Sequence, residues 1–109
     1  MAEENKAEDN KSIKEIKVGD YTFTADLDRL DDVEAFEIID AIENRGRIAA
    51  IVTLLELLVG REEYVKLRDH FAVLDAQLHS ETEGYKGRMR LDKLNEVYMA
   101  IIEKYDPKG

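Results

Sequence analysis

The side chains best suited to chemistry are two histidines, His70 and His79, and a spaced series of carboxylates, Asp26, Asp28, Asp32 and Glu37. The histidines stand nine residues apart, which on a helix turns them to nearly opposite faces. They belong to no H-E-x-x-H or comparable ligand cluster and read as surface or partly covered side chains. The carboxylates fall at positions one, three, seven and twelve of an EF-hand-like count. A calcium loop wants glycine at position six and usually an oxygen ligand at five; Asp31 and Leu30 stand there instead. Helix capping accounts for Asp31 better than calcium does. No nucleophile elbow, phosphate-binding loop or dinucleotide fingerprint occurs. The expectation is a non-enzyme with no metal or cofactor.

A third cluster is basic: Lys86, Arg88, Arg90 and Lys93, with Tyr85 as the one aromatic beside it. The net charge of the 109-residue chain is −9, and residues 26–43 carry eight acids against Arg29 alone. Such a balance disfavours phosphate backbones, so nucleic acid is not an expected partner. The basic cluster reads as a solvated loop, or as a dock for the acidic helix of a neighbouring subunit.

What must position these groups is a small helical domain. There is no cysteine, which excludes disulfides and thiolate metal sites and fits a cytosolic-type compartment. Residues 1–12 are polar and expected to be disordered, 13–106 to form one domain, and 107–109 to be a tail. Ile16 and Val18, then Gly19-Asp20, then Tyr21, Phe23 and Ala25 alternate about a Gly-X turn, predicting a hairpin over 13–25. Asp31 with Glu34 predicts a capping box opening a helix that runs to about Asn44, stopped by Gly46. Its apolar stripe is Ala35, Ile38, Ile39 and Ile42.

Ten of the twelve residues from Ile48 to Val59 are apolar. A helix greasy on almost every side must be covered on almost every side, so 47–59 is expected at the centre. The run is too short for a membrane, which needs roughly 20 residues. A third helix follows Gly60, with Tyr64, Leu67, Phe71, Leu74 and Leu78 as a narrow seam. Residues 81–90 read as a loop, and Leu91, Leu94, Val97, Tyr98, Ile101, Ile102 and Tyr105 define the last helix. The fold class is therefore mainly α, about four helices around an apolar central helix with an N-terminal β-hairpin.

Two features point to protein binding. Val33 and Phe36 lie toward Glu37 and Asp40, away from the buried stripe of the first helix. Cover by the hairpin or by the Leu27/Leu30 turn is the preferred expectation, because a lone hairpin needs a packing surface. The alternative is an apolar contact rimmed by acids for a partner helix. The seam of the third helix, Tyr64, Leu67, Phe71 and Leu74, is the other candidate contact.

The order of elements resembles the tail assembly chaperones of long-tailed bacteriophages and prophages, the lambda G-protein-like family of Gram-positive-host type. The resemblance spans roughly residues 16–105. It rests on Leu30-Asp31-Asp32-Val33-Glu34 through Ile42, and on the turn Leu57-Leu58-Val59-Gly60-Arg61-Glu62-Glu63-Tyr64 followed by Lys66-Leu67-Arg68-Asp69-His70. Residues 75–90 depart from the pattern, with a longer connection than usual. The resemblance implies a non-enzymatic homo-oligomer in the host cytoplasm that coats the tape-measure protein. It implies that the protein helps the major tail protein polymerise and is absent from the finished tail. It also implies a longer frameshifted product; Asp106-Pro107-Lys108 is compatible with a slippery C-CCA-AAG heptamer. The runner-up is an acidic helical regulator, an antitoxin or DNA mimic, binding a basic protein. A small virion structural protein is a third reading.

Overall fold

The computed structural model describes residues 13–105, and these begin with two antiparallel strands, β1 (Ile13–Val18) and β2 (Tyr21–Asp26). Val18 faces Tyr21 across Gly19-Asp20, and Ile16 faces Phe23. Gly19 takes the positive φ, +60°, that a tight hairpin turn requires. The two-residue period puts Ile16, Val18, Phe23 and Ala25 inside and Glu15, Lys17, Thr22 and Thr24 outside. The inner face packs on the last helix, and β2 also meets the two middle helices. The expectations for 1–12, Asp106 and 107–109 concern positions outside the described residues.

A 3₁₀ turn, Leu27–Leu30, buries both leucines, and the Asp26 carboxylate accepts the Asp28 N–H at its start. Helix α1 (Val33–Arg45) then begins one residue later than the capping box implies. Asp31 is taken by the preceding turn, where its N–H donates to the Asp28 carbonyl at 3.0 Å. Asp32 is the cap and accepts from the Ala35 N–H at 3.3 Å. With the cap at 32, Glu34 stands one position short of N3, so the reciprocal bond of a capping box is not made. Gly46, left-handed at φ +63°, ends the helix as expected.

Helix α2 (Ala50–Val59) starts three residues inside the expected boundary, because Arg47–Ala49 turn tightly. There the Ala50 and Ile51 N–H groups donate to the carbonyls of Arg47 and Ile48. The helix is central: it packs against α1, the 3₁₀ turn, β2, α3 (Arg61–Leu78) and α4 (Leu91–Lys104). Ile51, Leu54, Leu55 and Leu58 are buried. Cover is nonetheless incomplete, since Val52, Leu57 and Val59 are half-buried and Thr53 is exposed. Helix α1 contributes to this gap, for it buries Ala35 fully but leaves Ile38, Ile39 and Ile42 half-covered.

Gly60, at φ +90°, permits the abrupt reversal from α2 into α3. Helix α4 closes the core with Leu94, Val97, Tyr98 and Ile101. Its Tyr98 hydroxyl donates to the Glu43 carboxylate of α1 at 2.5 Å. Burial, then the hydrogen bond to Glu43 and its charge, push that phenol above the ordinary tyrosine pKa. Among the described residues the result is the expected class: mainly helical, with four helices and an N-terminal two-stranded hairpin.

Candidate functional site

The surface on α1 is open. Val33 is 73% exposed and Phe36 69%. The hairpin does not cover them, because its apolar face is committed to α4 and the core. Leu27 and Leu30 do not either, being core residues themselves. The preferred sequence reading, a covered Val33 and Phe36, is therefore replaced by an exposed apolar pair. Acids surround it: Glu34 and Glu37 are exposed, and Asp40 is half-buried. Asp40 accepts from the Asn44 amide at 2.6 Å and pairs with Arg45 at 3.5 Å. Among the described residues, Glu34 and Glu37 have no ion-pair partner.

The seam of α3 is arranged differently. Tyr64, Leu67 and Phe71 are buried in the chain's own core, and Leu74 is half-buried. Their burial corrects their reading as primary contact residues: the hairpin and α2 have taken that face, and only an edge of Tyr64 and of Phe71 reaches a groove. Phe71 lies 5.9 Å from the Tyr21 ring of β2, and the Tyr21 hydroxyl donates to Glu63 at 2.6 Å. Burial and the Glu63 carboxylate push the Tyr21 phenol up to about 12. His70 sits beside Tyr21 and shares a 2.9 Å hydrogen bond with Asp20, which lowers the Asp20 pKa. This histidine thus ties the hairpin turn to α3.

At the far end of α3 lies a feature sequence reasoning missed. Asp75 is almost fully buried and accepts from the Tyr85 hydroxyl, from the Arg88 backbone N–H at 3.2 Å and from Arg90 Nε at 3.4 Å. His79 Nδ1 bonds the Asp75 carbonyl at 2.9 Å. One carboxylate therefore pins the 79–90 connection onto α3. Gly87 packs directly on Ala72 and Ala76 beside it. The only sequence signal was an acid beside Leu74 in an apolar seam, whose partners lie ten to fifteen residues on.

The pinned loop shapes a groove of about 360 Å³ between α3 and α4. Its floor is Phe71, Leu74 and the 82%-exposed Leu78; its rim carries Arg88, Arg90 and Lys93, with Asp92. Lys93 pairs with Glu96 at 2.9 Å and lies over the Phe71 ring. Arg90 is held by Asp75. The Arg88 guanidinium has no ion-pair partner among the described residues. A second groove, about 420 Å³, runs beside Val52, Tyr64, Ala72, Met89, Leu91 and Leu94.

The Asp75 bonds carry a pH prediction. The Tyr85 hydroxyl first, then the Arg88 N–H and Arg90, hold its carboxyl below the ordinary range. A carboxylate whose pKa is depressed on folding stabilises the fold above its unfolded pKa, about 3.9, and loses that contribution as pH falls through the folded value. Asp75→Asn should lower the melting temperature at neutral pH and flatten its decline below about pH 4. Thermal melts across that range check it; parallel curves for the two proteins would dismiss the loop anchor.

No group of three or more His, Asp or Glu side chains is placed to hold a metal ion among the described residues. None of their helices is long and apolar enough to cross a membrane. Set against known proteins, the chain matches no family model, no curated sequence and no solved structure.

Proposed function

We propose that the protein is a tail assembly chaperone of a long-tailed phage or prophage. In this reading it binds the tape-measure protein in the host cytoplasm and keeps its apolar helices soluble. It then promotes polymerisation of the major tail protein and leaves before the tail is complete. The observation that carries the reading is the exposed Val33/Phe36 pair on α1, rimmed by Glu34, Glu37 and Asp40.

The physics suits the task. A tape-measure helix presents apolar stripes before the tube encloses them, and an amphipathic face can cover such a stripe side by side. The apolar pair is small, so the cover is reversible. The acids around it keep coated complexes apart, in a chain already at net charge −9. Resemblance in the order of elements, hairpin, acidic helix, apolar helix and Gly60 turn, supplies the family.

Co-expression tests it. The tape-measure protein should become more soluble with this chain and lose that gain with Phe36→Asp, which changes an exposed residue and leaves the core intact. Unchanged solubility with the wild-type chain would overturn the reading. Co-purification of a basic toxin or nuclease in its place would favour the acidic-regulator alternative.

A further inference from the structure

The rims of the two open surfaces are opposite in charge. On α1 stands an apolar knob, Val33 and Phe36, beside Glu34 and Glu37, which have no ion-pair partner among the described residues. Between α3 and α4 lies an apolar-floored groove, Leu74 and Leu78, beside Arg88, whose guanidinium has no ion-pair partner among the described residues. Among the described residues, none from α1 lines that groove, so they are separate surfaces of one chain.

We infer that the groove between α3 and α4 receives the α1 knob of a second copy of this chain, so that copies join head to tail. This deepens the proposed function by naming how the copies meet, and it rests on that reading only for its purpose.

The fit is chemical on three counts. Phe36 reaches the leucine floor, removing from water a 69%-exposed ring and an 82%-exposed Leu78 together. Glu37 follows Phe36 on the exposed side of α1 and meets Arg88, a charge match that also sets the orientation. The two acids that line the groove do not oppose this. Asp75 is satisfied by Tyr85, Arg88 N–H and Arg90, and Asp92, in the first turn of α4, accepts the Lys93 N–H at the positive end of that helix.

Because knob and groove differ, the contact is heterologous, and each added copy leaves one of each free. Open chains or a ring follow, in place of a closed symmetric dimer. The surfaces are small, under about 1,200 Å² in total, so association belongs in the weak, reversible class. A tape-measure helix bound on the α1 face would compete with the neighbour's groove, which makes the assembly a store of capped knobs.

Sedimentation velocity on the purified full chain tests this without any tape-measure protein, so its failure is separable from failure of the proposed function. The wild type should grow in mean mass with concentration through the micromolar range. Phe36→Asp (or Glu37→Lys) and Arg88→Glu should each stay monomeric, with unchanged far-ultraviolet circular dichroism. Mixed in equal amounts, Phe36→Asp supplies an intact groove and Arg88→Glu an intact knob, and the pair should form a dimer that grows no further. A monomeric wild type, a Phe36→Asp that still polymerises, or a mixture that stays monomeric would each overturn the inference.

Discussion

Leu54→Ala should destabilise the fold by about 2–5 kcal/mol, the range for truncating a large aliphatic side chain in a packed core. Leu54 is 0% exposed, on the helix that touches every other helix and β2. Alanine is at least as good a helix former as leucine, so the loss reports packing and not propensity. A domain of this size holds only about 5–15 kcal/mol in reserve, so one such change uses a large part of it. Leu57→Ala, one residue outside the buried set on the same helix, is the internal control and should cost clearly less. Denaturant titration reads both, with the slope unchanged if the transition stays two-state. A Leu54→Ala loss below about 0.5 kcal/mol, the range of surface changes, would remove α2 from the centre of the core.

That centrality was legible because it depends on composition alone: a nearly unbroken apolar run has nowhere to go but inward. The hairpin was legible for a related reason, since Ile16, Val18, Phe23 and Ala25 alternate about Gly19-Asp20 and both signals are local. Asp31 and Asp32 show the limit of local reasoning. Each is a competent cap, and the choice fell on Asp32 because the 3₁₀ turn had already engaged the Asp31 N–H.

The surfaces were harder to read. A helical wheel places Val33 and Phe36 off the buried stripe, but whether another element covers them is a question of tertiary packing. The hairpin could have lain there and instead lies on α4. The α3 seam was the converse: its spacing showed an apolar contact but not whether the partner was internal. Tyr64, Leu67 and Phe71 proved to be core, while the outlying Leu74 and Leu78 remain accessible in the groove. Asp75 was the least legible. Its bonds to Tyr85, Arg88 and Arg90 follow no period, and an acid within an amphipathic helix ordinarily belongs to the solvated face.

Gly87→Ala should release the 79–90 connection from α3. A Cβ at this position would stand 1.9 Å from the Ala72 carbonyl oxygen, 2.6 Å from the Ala76 nitrogen and 2.7 Å from the Ala76 Cβ. These atoms are backbone or the first side-chain carbon, so none can rotate aside. The cost is that of overpacking, about 1–3 kcal/mol, relieved only if the loop lifts. Ala76→Gly in the same chain removes one of the three contacts and leaves both backbone ones, so it should not rescue the variant. Gly84→Ala separates contact from conformation. Gly84 has φ +80° with open space around it, so its alanine carries only the left-handed penalty, about 1–2 kcal/mol. Hydrogen exchange distinguishes the two. The Arg88 N–H, donating to Asp75, should be protected in the wild type and in Gly84→Ala, and should exchange rapidly in Gly87→Ala. The lifted loop also carries Arg88 and Arg90 away from the Leu74–Leu78 floor. Gly87→Ala should therefore weaken self-association although it alters no residue of the groove's lining. An Arg88 amide that stays protected would show that the loop is held elsewhere than at this contact.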